Sequence, residues 1–555
     1  MAKMSVGARI KSVWHARAQQ GIGGLLLFGW TGTVLACLAA IVVSFFLAGY
    51  FNPYWRRADM DYMMVYQVFL LNDARPQSYF DHPGYLKIVL LDLWFRLSHW
   101  LGALDVIALS NLPPAFDVAG FERVWTAAVR TGRLLSLTLM LAFVAAFAVL
   151  IRRLIADWRI AALAVIVLSF STGVMFHARV LRTETLAAGL STLGLLLLLI
   201  AARSPASSWR FLLVGLAAML CTLGVVNKVH AVFAAVAWPL VVLAFGLRAD
   251  ERPPLWRQPV GAAVVLAILS VLVVMTAIPA ASLVASALEQ RATSEFPMLP
   301  ALFGILGFYQ AVLAAYVAGA VVAFALIWRV GVLETVATLL AVALSVALGL
   351  LSMTLRPHPQ NAVTVVNFLD IMFTWAAASD PALRAGGAVA ITRVLWSLAA
   401  GIYEVFAHIT FVLHTSSRTT MFLQWIIVAG LVFAWRRGHR ALVGQVAVLL
   451  LAAFGLDLGA TFRGAKIEYG IFADCVIIVA AAWLFGNLPS LLAYRYAFHL
   501  GALFIAVTVL FGQLEVVKIA WLSRAGPEGT CSWVGHYVPL VERFPYCAPR
   551  AAGQK

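Results

Sequence analysis

The sequence predicts an all-α, polytopic integral membrane protein, and three observations predict it. Of its 555 residues, 63% are hydrophobic and only 12% charged, with a mean hydropathy of +0.93, whereas a soluble globular domain carries about 25% charged residues. Apolar runs of roughly 18–28 residues recur between positions 28 and 521, each long enough to cross a hydrocarbon core of about 30 Å as a helix. The basic residues behind the formal charge of +16 and the pI near 10 fall in short connectors between those runs. A soluble enzyme is excluded, and the partner implied by the charge is the lipid bilayer, not nucleic acid.

Taken in order, the chain opens on a tail, 1–27, that carries Lys3, Arg9, Lys11 and Arg17. No small-residue cleavage site follows the first apolar run, so that run is read as a retained helix. Spans are predicted at 28–50, 127–150, 159–177, 184–202, 209–226, 229–247, 259–283, 301–328, 331–354, 419–435, 441–460, 469–487 and 497–521, about thirteen in all. With the N-terminus inside, the tail and the inner connectors hold seventeen Lys/Arg, among them Arg152, Arg153, Arg203, Arg210, Arg436 and Arg440. Only Asp157, Asp250, Glu251 and Glu334 oppose them, which leaves about +13 inside against about +3 elsewhere and fixes the orientation.

An odd number of spans puts the tail 523–555 outside. It holds Cys531 and Cys547, while Cys37, Cys221 and Cys475 lie in apolar runs, so a disulfide in an oxidising compartment is expected. Two long segments, 51–126 and 356–418, also fall outside, within a single transmembrane domain 28–522. In the first, 85–101 is apolar but punctuated by Lys87, Asp92, Arg96 and His99; it is expected to lie in the interface as an amphipathic helix. The stretch 387–413, with Arg393, Glu404 and His408, is placed the same way.

Four groups on the outer side could do chemistry. After the first span come Asp59, Asp61 and Tyr62, then Leu70-Leu71-Asn72 and Asp81-His82-Pro83-Gly84-Tyr85; a carboxylate at a half-dry interface can act as a base, and two together can hold a divalent cation. The turn after the third span reads His177-Ala178-Arg179-Val180-Leu181-Arg182-Thr183-Glu184, setting planar guanidinium forks, which suit phosphate, beside a carboxylate. Lys228 and His230 follow the fifth span in an otherwise apolar neighbourhood, where ionisable groups tend to be functional. Arg463, Lys466 and Tyr469 open the twelfth span. Solvated carboxylates and interface-anchoring arginines are the bland explanation of each group alone. Their convergence on one side points to transfer of a group from a lipid-phosphate carrier, with a base for the acceptor and cations for the leaving phosphate.

These residues resemble the GT-C superfamily of membrane glycosyltransferases, in particular the branch of protein O-mannosyltransferases and the lipid A aminoarabinose transferase. The resemblance covers mainly 28–250. Asp59 stands where that branch has its first acidic residue, Asp81-His82-Pro83-Gly84-Tyr85 resembles its His-Pro-Pro turn, and Glu184 matches its second acidic position. Met60 replaces the second member of the usual acidic pair, with Asp61 one place later, and Gly84 replaces the second proline.

The resemblance implies a GT-C-like fold with periplasmic interface helices and a polyprenyl-phosphate-linked sugar as donor. A glycan, lipid or protein hydroxyl would be the acceptor. It further implies Asp59 or Asp61 as the base, Glu184 assisting, Arg179, Arg182, Lys228 and Lys466 on the carrier phosphate, and His82 orienting donor or base. No cofactor is required, although Asp59, Asp61, Glu184 and His82 offer donors a divalent metal would accept. The location implied is a bacterial inner membrane, N-terminus cytoplasmic and C-terminus periplasmic. A secondary transporter is the rival class, with a lipid-binding scaffold behind it.

Overall fold

The computed structural model describes residues 29–75, 84–114, 116–204, 207–246, 253–292, 306–355, 365–366, 387–410, 418, 420–461, 467–488, 527–531, 538, 544 and 546–547. Among the described residues the chain is helical throughout, with no strand. The helices are α1 (Trp30–Phe45), α2 (Met63–Asn72), α3 (Tyr85–Trp100), α4 (Val118–Leu154), α5 (Trp158–Ser169), α6 (Thr172–Ala178), α7 (Glu184–Ala202) and α8 (Arg210–Asn227). They are followed by α9 (Ala231–Leu243), α10 (Pro259–Ala292), α11 (Leu306–Ile327), α12 (Val332–Leu351), α13 (Gly387–Thr410), α14 (Thr420–Arg436), α15 (Arg440–Thr461) and α16 (Gly470–Gly486).

Among the described residues seven helices are long and apolar enough to cross a bilayer: α1 with its π-helical extension to Tyr50, α4, α7, α8, α10, α12 and α15. An eighth span arises if α5 and α6, bent by 53° at Phe170–Ser171, count as one. The single run expected over 159–177 is broken because Ser171 starts a new helix, its Oγ accepting from the Val174 amide at 3.3 Å. The sequence also expects spans at α9, α11, α14 and α16, which among the described residues count as shorter apolar helices, α11 over Ala314–Ile327. The run 497–521 lies outside the described residues.

The core is built around α16. Every residue from Gly470 to Leu484 is buried, which is how a helix apolar on all sides must sit. It packs on α5, α7, α14 and α15. By contrast α10 shows Val260, Met275 and Ile278 outward, the signature of a helix facing lipid.

Helix α4 is longer than the predicted run 127–150. Asp117 caps it, accepting from the Gly120 amide at 3.0 Å, and its 37 residues span about 55 Å, more than a bilayer core. Its first turns join a separate aromatic core: Phe121 and Trp125 pack with Tyr62, Phe69 and Phe95 and with Phe544 of the C-terminal segment. That segment is closed by the Cys531–Cys547 disulfide. Helix α3 occupies the stretch expected to form an amphipathic helix and buries Tyr85, Ile88, Leu91 and Phe95 while Leu93, Leu97 and Trp100 remain exposed.

The helix ends are chemically polarised. Arg152 and Arg153 end α4, Arg203 follows α7, Arg210 opens α8, Arg436 ends α14 and Arg440 opens α15, so all lie at one end of the bundle. The polar groups described next, and the aromatic core with its disulfide, lie at the other.

Candidate functional site

The site is assembled from helix ends and the turns between them. The first piece is the turn after α1. Here the backbone widens into a π-helical turn over Ala58–Tyr62, an irregularity often found at functional sites. Asp59 lies on this turn, where its backbone position alone is described. Asp61 is fully buried: Oδ2 accepts from Arg133 Nη2 at 2.6 Å and Nε at 3.1 Å, and Oδ1 from the Leu181 amide at 2.9 Å. Arg133 also donates to the carbonyls of Gly49, Asn52 and Pro53. Both oxygens of Asp61 are therefore occupied, and the residue welds three segments together instead of facing an open volume. A side chain on Gly132 would strike Leu181 Cδ1 at 2.6 Å, so a glycine there lets the 179–183 turn approach α4.

Tyr62, expected to bind substrate, is built into the aromatic core. Its hydroxyl is hydrogen-bonded to that of Tyr546 and its ring stacks on Phe544 at 4.8 Å. Burial, then Tyr546, holds its phenol far above the usual range.

The second piece is the turn leading into α7. Glu184, almost wholly buried, receives Lys228 Nζ on Oε1 at 2.8 Å and has Arg182 Nε 4.0 Å from Oε2. Thr183 Oγ1 donates to Oε2 at 3.2 Å. Arg182 in turn meets Glu468 Oε1 at 3.0 Å. His230 lies flat on Tyr469, ring centroids 4.7 Å apart, and Lys228 Nζ stands 5.5 Å from the same ring. Glu184, Arg182, Lys228, His230 and Tyr469 thus converge, although they come from three separate stretches of chain. Glu468, unassigned from sequence, completes the group.

Asn227 ties this cluster to α3. Its Nδ2 donates to the Thr183 carbonyl at 2.6 Å, its Oδ1 accepts from the Lys87 amide at 2.9 Å, and its carbonyl accepts from the Gly84 amide at 2.9 Å. Gly84 takes a left-handed conformation, φ 52°, which favours glycine at this turn. Lys87 is fully buried and its Nζ donates to Ser136 Oγ at 3.0 Å. Burial lowers its ammonium pKa to about 7.

Arg179 lies apart from the Glu184 cluster, against α1, with Nη2 donating to Ser44 Oγ. Its Nε and Nη1 are buried without a hydrogen-bond partner among the described residues, and burial pulls its pKa down to about 10. His177, at the C-terminal end of α6, belongs to the same end of the bundle. Nδ1 bonds to the Gly173 carbonyl at 2.7 Å. His82, Arg463 and Lys466 lie outside the described residues. Among the described residues no three His, Cys, Asp or Glu side chains converge in a way that would hold a metal ion.

Sequence reasoning assigned no role to Arg133, Lys87, His177, Asn227 or Glu468. The signal available for three of them was a charged residue inside an apolar stretch: Arg133 within 127–150, Lys87 within 85–101, and Glu468 at the mouth of the twelfth span. No protein-family model, curated protein or solved structure matches the chain.

Proposed function

We propose that this chain is a GT-C-type membrane glycosyltransferase, moving a sugar from a polyprenyl-phosphate-linked donor to an acceptor hydroxyl at the membrane surface. The observation that supports it is the buried Glu184–Lys228–Arg182–Glu468 cluster, gathered at one set of helix ends. Ionisable groups at such a depth are costly, and they cluster where a reaction or a ligand needs them.

In this reading the acceptor oxygen attacks the anomeric carbon while the bond from that carbon to the phosphate oxygen breaks. The leaving phosphate keeps the electron pair, and the hydroxyl proton passes to a carboxylate. Asp59 takes that role, since Asp61 has both oxygens held by Arg133 and Leu181. Arg179 meets the leaving phosphate, with N–H groups that have no partner among the described residues. Glu184 holds Lys228 and Arg182, the further cations at this end of the bundle, in place.

The full reading has about thirteen spans in an inner membrane with the site on the periplasmic side. Two features support that orientation: the arginine belt lies at the opposite helix ends, and the Cys531–Cys547 disulfide packs at the site's end, as an oxidising compartment requires.

A secondary transporter is the second reading. The 53° break between α5 and α6, Pro239 inside α9, and Arg418 bound to both Asp457 (3.0 Å) and Asp474 (2.7 Å) favour it, because carriers place broken helices and ionisable groups within the membrane. Transfer from radiolabelled polyprenyl-phosphate sugars by purified protein in lipid separates the two. Transfer that disappears in Asp59→Asn or Glu184→Gln supports the enzyme; uptake into proteoliposomes without consumption of any donor overturns it.

A further inference from the structure

The carboxylates and cations of the cluster are engaged with one another, but one basic lone pair beside them is not. His177 is fully buried, and its Nε2 has no hydrogen-bond partner among the described residues. Nδ1 lies 2.7 Å from the Gly173 carbonyl. A carbonyl only accepts, so Nδ1 carries the proton of the neutral ring and Nε2 presents a bare acceptor. The backbone fixes this tautomer, because Gly173 is one turn earlier on the same helix.

The ring's position is fixed from two further sides. Phe176 meets it edge-on at 5.3 Å, and α6 packs against the Ile467–Tyr469 turn that carries Glu468 and Tyr469. Arg182, Glu184 and Glu468 are its electrostatic neighbours. A buried acceptor without a donor is rare in a folded chain and costly, and the usual explanation is a ligand or water that supplies the donor.

Resting on the glycosyl-transfer reading, we infer that His177 Nε2 accepts a hydrogen bond from a hydroxyl of the bound sugar and so selects for a sugar hydroxylated at that position. A neutral acceptor suits this task. Lys228 and Arg182 are donors, and Glu184 is already bound by both. A site shaped around one hydroxyl rejects the analogue lacking it, because the buried acceptor is then left bare.

The test uses full-length protein in lipid nanodiscs with the polyprenyl-phosphate sugar that the wild type consumes and its set of mono-deoxy analogues. One deoxy analogue is expected to lose about tenfold in kcat/KM against the wild type, the size of one neutral hydrogen bond. His177→Phe, which keeps a flat ring but no acceptor, is expected to raise KM for the parent sugar about tenfold and to treat that analogue and the parent alike. His177→Gln, which keeps an acceptor, is expected to retain the preference. A merely structural His177 would lower activity without changing the ratio between analogue and parent, so a His177→Phe variant that keeps the wild-type ratio overturns the inference while leaving glycosyl transfer intact; should the Phe variant fail to fold, a wild type that discriminates against no deoxy analogue does the same. A wild type that consumes no polyprenyl-phosphate sugar overturns both.

Discussion

Two buried ionic groups lie at the same end of this molecule and are built on opposite plans. In the Asp61–Arg133 pair, both carboxylate oxygens and every guanidinium nitrogen have partners, three of them backbone carbonyls. In the cluster around Glu184, side chains meet side chains from three separate stretches, and His177 is left with an open acceptor. A pair that is anchored to backbone on both sides as well as to itself organises the fold. A group held by other side chains can exchange them for a ligand, which is why the second is assigned to the reaction and the first is not.

The largest expected effect comes from breaking the first group. Arg133→Met leaves Asp61 charged and buried, and Asp61→Asn leaves Arg133 so; each should cost about 3–5 kcal/mol of stability, read as the midpoint of chemical unfolding in detergent. The double variant should recover little, because the Gly49, Asn52 and Pro53 carbonyls lose the Arg133 donors that tie them to α4. Recovery to near wild type would make the pair an ordinary ion pair and dissolve the contrast.

The same cycle on the second group should end differently. Glu184→Gln alone strands Lys228 and destabilises, whereas Glu184→Gln with Lys228→Met removes both charges and should recover most of that loss. Transfer should stay down by about 100-fold or more, since the loss belongs to the chemistry. A stable and fully active double variant would remove the cluster from the reaction.

How much of this contrast was legible in the sequence differs between the two groups. The runs expected at 184–202 and 209–226 appear as Glu184–Ala202 and Arg210–Asn227, because apolar length and flanking charge are local properties. That placed Glu184 and Lys228 at helix ends before any pairing was known. The pairings themselves were not local: Arg133 finds Asp61 across 72 positions and Arg182 finds Glu468 across 286. Hydropathy records that Arg133 interrupts an apolar run, but not which carboxylate compensates it. The same blindness made Asp61 look like a candidate base, since exposure and occupancy are decided by neighbours far along the chain.

A third, intermediate effect concerns the aromatic core that backs Asp61. Cys531 and Cys547 close a short loop beside Tyr546, whose hydroxyl bonds Tyr62. Cys531→Ser should weaken the docking of this segment by about 2–4 kcal/mol. Limited proteolysis should then cut the C-terminal segment while the bundle survives. An unchanged digestion pattern would show that Phe544 and Tyr546 dock without the bridge.

The effect that is smallest at each step of its measurement is the most diagnostic of how Lys87 is held between the two groups. It is buried with Ser136 as its side-chain partner, and its pKa falls from 10.5 to about 7. Between those values the unfolded chain holds a proton that the folded chain lacks, so stability should rise with pH through about 7 to 10.5. The slope has an upper limit of about 1.4 kcal/mol per pH unit. Below pH 7 both states are charged and the cost of burial is present in full; above 10.5 both are neutral and it vanishes. Lys87→Met is uncharged throughout, so it should be the more stable protein at pH 7, with its advantage shrinking at pH 8 and again at pH 9. A gap that stays constant over that range would mean that Lys87 is compensated in the fold by an anion, and that the charge at the junction of the two groups is permanent.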